Sequence, residues 1–365
     1  MRPKISFCTV SMNRTEHFKQ TFLKNVLDNV NYPYVEFIIL DYNSTDGLGE
    51  YVRDYLQMYI KTGIVKYYHN TEPIFFNMPH AKNMALKLAD GDIICLVDAD
   101  NYIGNGFAAY VANNLIKSQF LTTIYKRKPS TNSDVLGRIC LFKSDFHRLK
   151  GFDEGFKYYG LEDLDFVQRL EIAGCFRKVI KTNKYLKAIS HTAVKRFGNM
   201  QLFSTIAAIF VGQQTPFKSA LYFFFNTGEC YHGLVLDNVA TNMTKLKPLR
   251  KSQRLISKYI LSEEDWSLSH WCEKPTGLSI IEANVETSLS NATLQDCQSF
   301  SYCGQYFRRI VNDGIRNDAL YLFSVLPNFN RMVNNKNSLV VQANPNTYGS
   351  GHVYKNFDYG LHLKV

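Results

Sequence analysis

The stretch Gly91–Asn101, Gly-Asp-Ile-Ile-Cys-Leu-Val-Asp-Ala-Asp-Asn, constrains this chain more than any other. Ile93–Val97 is an unbroken apolar run, the pattern of a short strand buried on both faces. The run stops at Asp98 and Asp100. Side chains alternate along an extended chain, so these two carboxylates point the same way, with Ala99 between them. Like charges at the mouth of a buried strand repel unless a cation sits there. A hard divalent ion, Mn²⁺ or Mg²⁺, takes oxygen ligands and shares them with a diphosphate. Asp-x-Asp by itself fits equally well the start of a turn, helped by Asn101 and Gly104. The flanking chain decides between the two.

That chain alternates. Ile5–Val10, Val35–Leu40, Val65–His69 and Gly91–Val97 read as buried strands, and Ile139–Phe142 as a further short one. Glu16–Val30, Leu48–Ile60, Ala81–Ala89 and Phe107–Lys117 carry apolar residues at helical spacing. Glu162–Ala173 is a helix opened by carboxylates, which suit a helix N-terminus. Such a rhythm predicts an α/β fold, a Rossmann-like, mostly parallel sheet with helices on both faces. In such sheets ligands bind beyond the carboxyl ends of the strands. Ser11–Arg14, Asp41–Asp46 and Asp98–Asn101 all follow strand ends, so they are expected in one crevice.

Past about residue 205 the rhythm ends. Ala220–Asn226, Cys230–Val239, Leu278–Val285, Ala319–Val325 and Ser338–Ala343 read as β-rich pieces between turn residues, with Lys245–Ser262 a basic helix or connector. The expected division is a catalytic domain over 1–204 and a β-rich accessory domain over 205–365. Its aromatics Trp266, Trp271, Tyr259, Tyr302, Tyr306 and Tyr354 are candidate platforms for sugar faces, although core packing is the commoner fate of a single ring. A chain ending near residue 205 would keep donor binding if the second domain captures acceptor, and would be insoluble or lose donor binding if that domain is only structural.

The whole chain of 365 residues carries a net charge of +10. That favours anionic partners. The basic residues are scattered apart from Lys245–Arg254, so no nucleic-acid stripe is expected. Eight cysteines show no zinc spacing and read as reduced thiols. No stretch approaches the roughly 20 apolar residues of a membrane span. The expected setting is cytoplasmic, with peripheral contact to an acidic lipid surface left open.

In combination, these pieces resemble a GT-A glycosyltransferase, near family 2, over residues 1–200. Ile5–Arg14 resembles the first strand and nucleotide loop, and Ile39–Asp46 the strand followed by Asp-x-x-Ser-x-Asp. His80-Ala81-Lys82-Asn83 resembles the Gly-Ala-Arg-Asn helix start, departing from it at His80 and Lys82. Leu96–Asn101 matches the Asp-x-Asp metal motif. Gly151–Leu170, with Gly-Phe-Asp-Glu-Gly-Phe and Gly-Leu-Glu-Asp-Leu-Asp-Phe, resembles the acceptor segment of β-1,4-galactosyltransferases.

The resemblance implies an inverting, metal-dependent transfer from a nucleotide-sugar, expected to be UDP-linked, to a glycan or other hydroxyl acceptor. It implies Asp41 as reader of the base, with Thr9, Asn13 and Arg14 lining that pocket. A turn-capping Asp41 is about as natural without the family. Lys82 and Asn83 would serve the donor, Lys82 as a cation for phosphate at a helix start. Asp100 and His191 would bind Mn²⁺ or Mg²⁺, and Asp98 the metal or the ribose. Asp163 would be the general base and Glu162 the binder of acceptor hydroxyls, with exchanged roles left open. Tyr158, Tyr159 and Gly160 would form an aromatic floor or pack in a core. Two other readings compete: a nucleotidyltransferase-like enzyme, and a carbohydrate-binding protein that has lost catalysis. Glu162–Asp163 and His191 weigh against the first, and the intact Asp98, Asp100, Asp163 and His191 against the second.

Overall fold

A computed structural model describes residues 2–124, 135–189, 205–215, 217–237 and 259–365. It divides into two compact units. The first comprises residues 1–155, 162–192 and 335–365, the second 156–161 and 193–334.

In chain order the first unit holds β1 (Ile5–Ser11), α1 (Thr15–Leu27), β2 (Val35–Tyr42), α2 (Leu48–Tyr55), α3 (Gln57–Lys61), β3 (Val65–Asn70), α4 (Met78–Leu88), β4 (Ile93–Leu96), β5 (Asn101–Tyr102) and α5 (Phe107–Asn114). There follow β6 (Gln119–Thr122), β7 (Ile139–Phe142), α6 (Lys143–Arg148), α7 (Glu162–Ile172), β8 (Phe176–Val179) and β9 (Lys187–Ala188). The second unit holds β10 (Ile206–Thr215), β11 (Lys218–Phe225), β12 (Glu229–Asp237), β13 (Tyr259–Leu261), β14 (Ser267–Lys274), β15 (Gly277–Glu282), β16 (Val285–Ser290), β17 (Ser299–Tyr302) and β18 (Gln305–Arg309). The helix α8 (Asp313–Asn337) and the hairpin β19 (His352–Lys355) and β20 (Asp358–Lys364) complete the chain.

The sheet of the first unit runs β20-β19-β3-β2-β1-β4-β7-β6-β8. Its centre, β3-β2-β1-β4, is parallel, with Ser11 opposite Asp41 and Cys8 opposite Leu96. The apolar strands bury both faces. Phe7, Phe37, Ile39, Ile93 and Cys95 pack with α1, α2 and α5 on one side. Cys8, Ile38, Leu40, Ile94 and Leu96 pack with α4, α6 and α7 on the other. The ends of β1, β2 and β4 therefore lie side by side, as the alternation required. Antiparallel pairings flank this core, β7 on β4 and β19 on β3, while the edge strand β8 runs parallel to β6.

The second unit is an antiparallel sheet ordered β16-β15-β14-β12-β11-β10-β18-β17, with β13 on β12. Its β-rich character agrees with expectation, but two pieces differ. Ala319–Val325 lies inside α8, where Ala319, Leu322, Phe323 and Leu326 are buried. Leu320, Ser324, Val325, Pro327 and Asn328 are buried too, so the helix is covered nearly all round, and a fully buried apolar run alone does not distinguish helix from strand. Ser338–Ala343 is not a strand. Residues 335–365 belong to the first unit rather than the second, because β19 finds an open edge at β3 that only a distant strand could cover. Lys245–Lys258 lies outside the described residues.

All eight cysteines are free thiols. No helix among the described residues is long and apolar enough to cross a membrane.

Candidate active site

Two groups of the expected residues meet at the strand ends. The first surrounds α7. Asn77 caps α4 by accepting from the His80 amide, with Pro79 in the first turn, so α4 begins at a fixed point. Lys82, one turn in, is almost fully buried. Its ammonium lies 2.8 Å from Glu162 Oε1 and 2.7 Å from Asp163 Oδ1. Sequence reasoning placed this lysine on a phosphate; the structure gives it to the two carboxylates opening α7. Lys82 is held charged well above the ordinary lysine range, because the charges of Asp163, Glu162 and Asp98 outweigh the opposing effect of burial. Burial pushes Asp163 up to about 6 despite Lys82. Asp163 Oδ2 has no hydrogen-bond partner among the described residues.

Asp98 joins the same cluster. Burial pushes it up to about 7; Asp100 and Asp163 add to the rise, and Lys82 and Arg138 oppose it. Two residues that sequence reasoning missed clasp this turn. A Cβ at Gly137 would stand 2.5 Å from Asp98 Oδ2, so glycine makes room for the carboxylate. Arg138, fully buried, donates from Nη2 to Asn101 Oδ1 at 2.9 Å and to the Tyr102 carbonyl at 3.1 Å. Its guanidinium sits 5.8 Å from the Phe107 ring centre. Nothing in the sequence around Gly137-Arg138 pairs it with Asp98. Only the antiparallel addition of β7 to β4 does so.

The carboxylates of Asp98 and Asp100 supply hard oxygen donors in a locally negative place. This fits a divalent ion that takes its remaining ligands from a diphosphate and water. Among the described residues no three His, Cys, Asp or Glu side chains form a metal cluster. His191, the expected third ligand, lies outside the described residues.

The sign of the Asp98 effect is testable. Its folded value, about 7, exceeds the ordinary aspartate value of 3.8, so ionisation is disfavoured in the fold. The carboxyl therefore costs stability progressively as pH rises from about 4 to about 7, and fully above that. Metal-free Asp98→Asn is expected to melt a few degrees higher than the parent at pH 8, with the gain vanishing near pH 4. Thermal melts at both values check this; an equal shift at both would refute it.

The second group lies at the ends of β1 and β2. Asn13, with φ at 55°, accepts from the Thr45 amide at 2.7 Å, and its own amide donates to Ser44 Oγ at 3.2 Å. Arg14 precedes α1 and is half-buried. Thr9 is buried on β1. Asp41 is buried too: Oδ1 accepts from the Ser44 amide at 2.8 Å and Oδ2 from the Tyr67 hydroxyl at 2.7 Å. Oδ1 thus holds the loop in the turn-capping arrangement, and Oδ2 is engaged by Tyr67 of β3.

Asn83, expected to serve the donor, is engaged by a neighbouring loop. It is fully buried, and its amide clasps the Gly151–Gly155 loop through the Phe152 backbone, at 2.7 and 2.9 Å, and Glu154 Oε1, at 2.8 Å. Tyr158 and Tyr159 pack against the second unit's core. Tyr158 lies 5.0 Å from Phe323 by ring centres, so core packing is the role the structure gives it.

With this geometry in view, the class of the first unit follows. Residues 6–166 match the family model for glycosyl transferase family 2. The segment that carries these strand ends and the α7 carboxylates is thus similar to glycosyl transferase family 2, over somewhat less than half of the chain.

Solved structures resemble it more distantly. The mannosyltransferase PcManGT of Pyrobaculum calidifontis, in complex with GDP-Man and Mn²⁺, gives a TM-score of 0.44 at 17% identity, over 54% of this chain and 61% of its own. TarS 1-349 of S. aureus gives 0.41 at 18%, over 53% and 62%. The catalytic domain of Drosophila β1,4-galactosyltransferase 7, in complex with xylobiose, gives 0.38 at 17%, over 53% and 73%. This chain thus spans about three fifths of the first two. No curated protein matches the sequence.

Proposed function

We propose that the protein is an inverting glycosyltransferase that moves a sugar from a nucleotide-sugar, UDP-linked by preference, to a hydroxyl of a glycan. The observation supporting it most directly is the buried lysine between Glu162 and Asp163, electrostatically tied to Asp98. It joins the acceptor-side carboxylates to the donor-side Asp-x-Asp turn.

Asp163 Oδ2 takes the proton of the acceptor hydroxyl while that oxygen attacks the anomeric carbon. The bond from that carbon to the diphosphate breaks, and the nucleoside diphosphate leaves with its electron pair. Lys82 keeps Asp163 ionised and aims it, using Oδ1 only. Glu162 shares Lys82 and orients acceptor hydroxyls. Asp98 and Asp100 would hold Mn²⁺ or Mg²⁺, which supplies charge stabilisation for the departing diphosphate when bound. Asn13 and Arg14 would contact the nucleotide beside the loop that Asp41 secures.

A donor screen following nucleoside diphosphate release tests this reading. UDP-sugars with Mn²⁺ are expected to release UDP, and chelation is expected to stop it. No release from any UDP- or GDP-sugar, with or without metal, would sink the proposal.

A further inference from the structure

In the second unit, the sheet curls until its ends meet: the Tyr302 hydroxyl on β17 donates to Glu282 Oε2 on β15 at 2.9 Å. The enclosed face carries an apolar layer that includes Phe224, Cys230, Ile280, Phe300 and Phe307. Side chains two apart on a strand share a face. At one end, the inward position next to each of these five residues is no longer an aliphatic or phenyl group. Tyr222 follows Phe224, His232 follows Cys230, Glu282 follows Ile280, Tyr302 follows Phe300 and Gln305 follows Phe307. Five strands thus exchange hydrocarbon for hydrogen-bonding groups at one mouth.

These groups form one cluster. The His232 ring stacks on Tyr222 at 4.9 Å and 9°, and its Nε2 lies 3.1 Å from Glu282 Oε1. Tyr302 meets Tyr222 edge-on at 6.2 Å. Gln214 donates to Gln305 Oε1 at 2.8 Å, which fixes the direction of the Gln305 amide. A Cβ at Gly212 would stand 2.6 Å from Gln305 Nε2, so glycine leaves that nitrogen its place.

The cluster is not self-satisfied. Among the described residues, Gln305 Nε2 and Glu282 Oε1 are buried without an aligned hydrogen bond. A purely structural polar cluster in a native fold leaves few such atoms. The mouth is also accessible: the His232 and Glu282 side chains are 23% and 34% exposed.

We propose that this mouth is a carbohydrate subsite that takes a neutral glycan, resting on the glycosyltransferase reading above. Aromatic rings accept the C–H face of a sugar, a carboxylate accepts from two hydroxyls and an amide donates to a third. Mouths of closed sheets are common places for such sites. The Glu282 carboxylate disfavours an anionic ligand. Three of the other aromatic candidates fit less well. Trp266 is buried, with its indole N–H on the Phe323 carbonyl, Trp271 donates to the Phe225 carbonyl, and Tyr354 belongs to the first unit.

Saturation-transfer NMR on the full chain tests this, with neutral oligosaccharides ending in galactose, N-acetylglucosamine, mannose, glucose or xylose as probes. At least one is expected to bind. Glu282→Gln is expected to weaken it about 10- to 100-fold, the loss of a hydrogen bond to a charged acceptor. Tyr302→Phe, which removes one oxygen at the rim, is expected to weaken it less, at an unchanged melting temperature. UDP release from the donor should be unaffected in both. No saturation transfer from any probe, or unchanged affinity in both variants, overturns the subsite. Binding without diphosphate release from any donor would instead overturn the enzymatic reading alone.

Discussion

Asp163→Asn is expected to lower turnover about 10²- to 10⁴-fold while nucleotide-sugar binding stays nearly unchanged. The amide is close to isosteric. Its oxygen can still accept from Lys82 at the position now held by Oδ1, 2.7 Å away. What it lacks is a second oxygen able to take a proton. The parent protein should show an acid limb in kcat/KM near pH 6, because burial raises the Asp163 carboxyl to about 6 and only its ionised form is a base. The variant's residual activity should lose that limb. Steady-state kinetics across pH 5 to 9 checks both, together with calorimetry of donor binding. Near-normal turnover would move the base role to Glu162, and a matching loss of donor affinity would mean that the change disturbed the Lys82 cluster instead.

A chain ending at Asn334 is expected to lose the fold of the first unit, even though the whole family 2 match lies upstream. The missing residues complete the frame of the acceptor segment. Asn335 Nδ2 donates to Asp153 Oδ2 at 2.8 Å and to Asp165 Oδ1 at 2.9 Å. Asn344 Nδ2 donates to the Lys150 and Phe152 carbonyls, each at 2.7 Å, and its oxygen accepts from the Glu154 amide at 3.1 Å. Arg169 donates to the Val341 carbonyl at 3.2 Å, and the Gly349 amide to Glu154 Oε1 at 2.6 Å. Each buried group left unpaired costs about 1–3 kcal/mol. Several together consume a typical stability of about 5–15 kcal/mol. The edge of β3 would also open. Differential scanning calorimetry should show no cooperative transition for this unit, and UDP release should vanish. A soluble, active protein ending at Asn334 would show that the carboxyl-terminal strap is dispensable. By the same contacts, a chain ending near residue 205 is expected to lose donor binding, the outcome the sequence allowed for a structural carboxyl-terminal region.

The central strands were legible because both faces of β1, β2 and β4 are buried, and burial on both faces writes an apolar run into the sequence. The Asp98–Asp100 turn was legible because charge ends such a run abruptly. Lys82, Glu162 and Asp163 could be named as site residues, but their mutual pairing could not. An ion pair between α4 and α7 leaves no local pattern, since its partners are 80 and 81 residues apart. The loop contacts of Asn83 were hidden for the same reason: a helix-start amide looks alike whether it faces a ligand or a neighbouring loop.

What the sequence by itself determined was local and periodic: the alternation of strands and helices, the parallel core, and the strand ends where carboxylates gather. The tertiary structure alone decided that Asp41 caps its own loop, that Gly137 and Arg138 clasp the Asp-x-Asp turn, and that residues 335–365 return to the first unit. Periodicity arises from which face of an element is buried, and neighbouring residues carry that signal. Partners brought together by sheet order and chain return are set by the free energy of the whole packed assembly, which no short window of sequence contains.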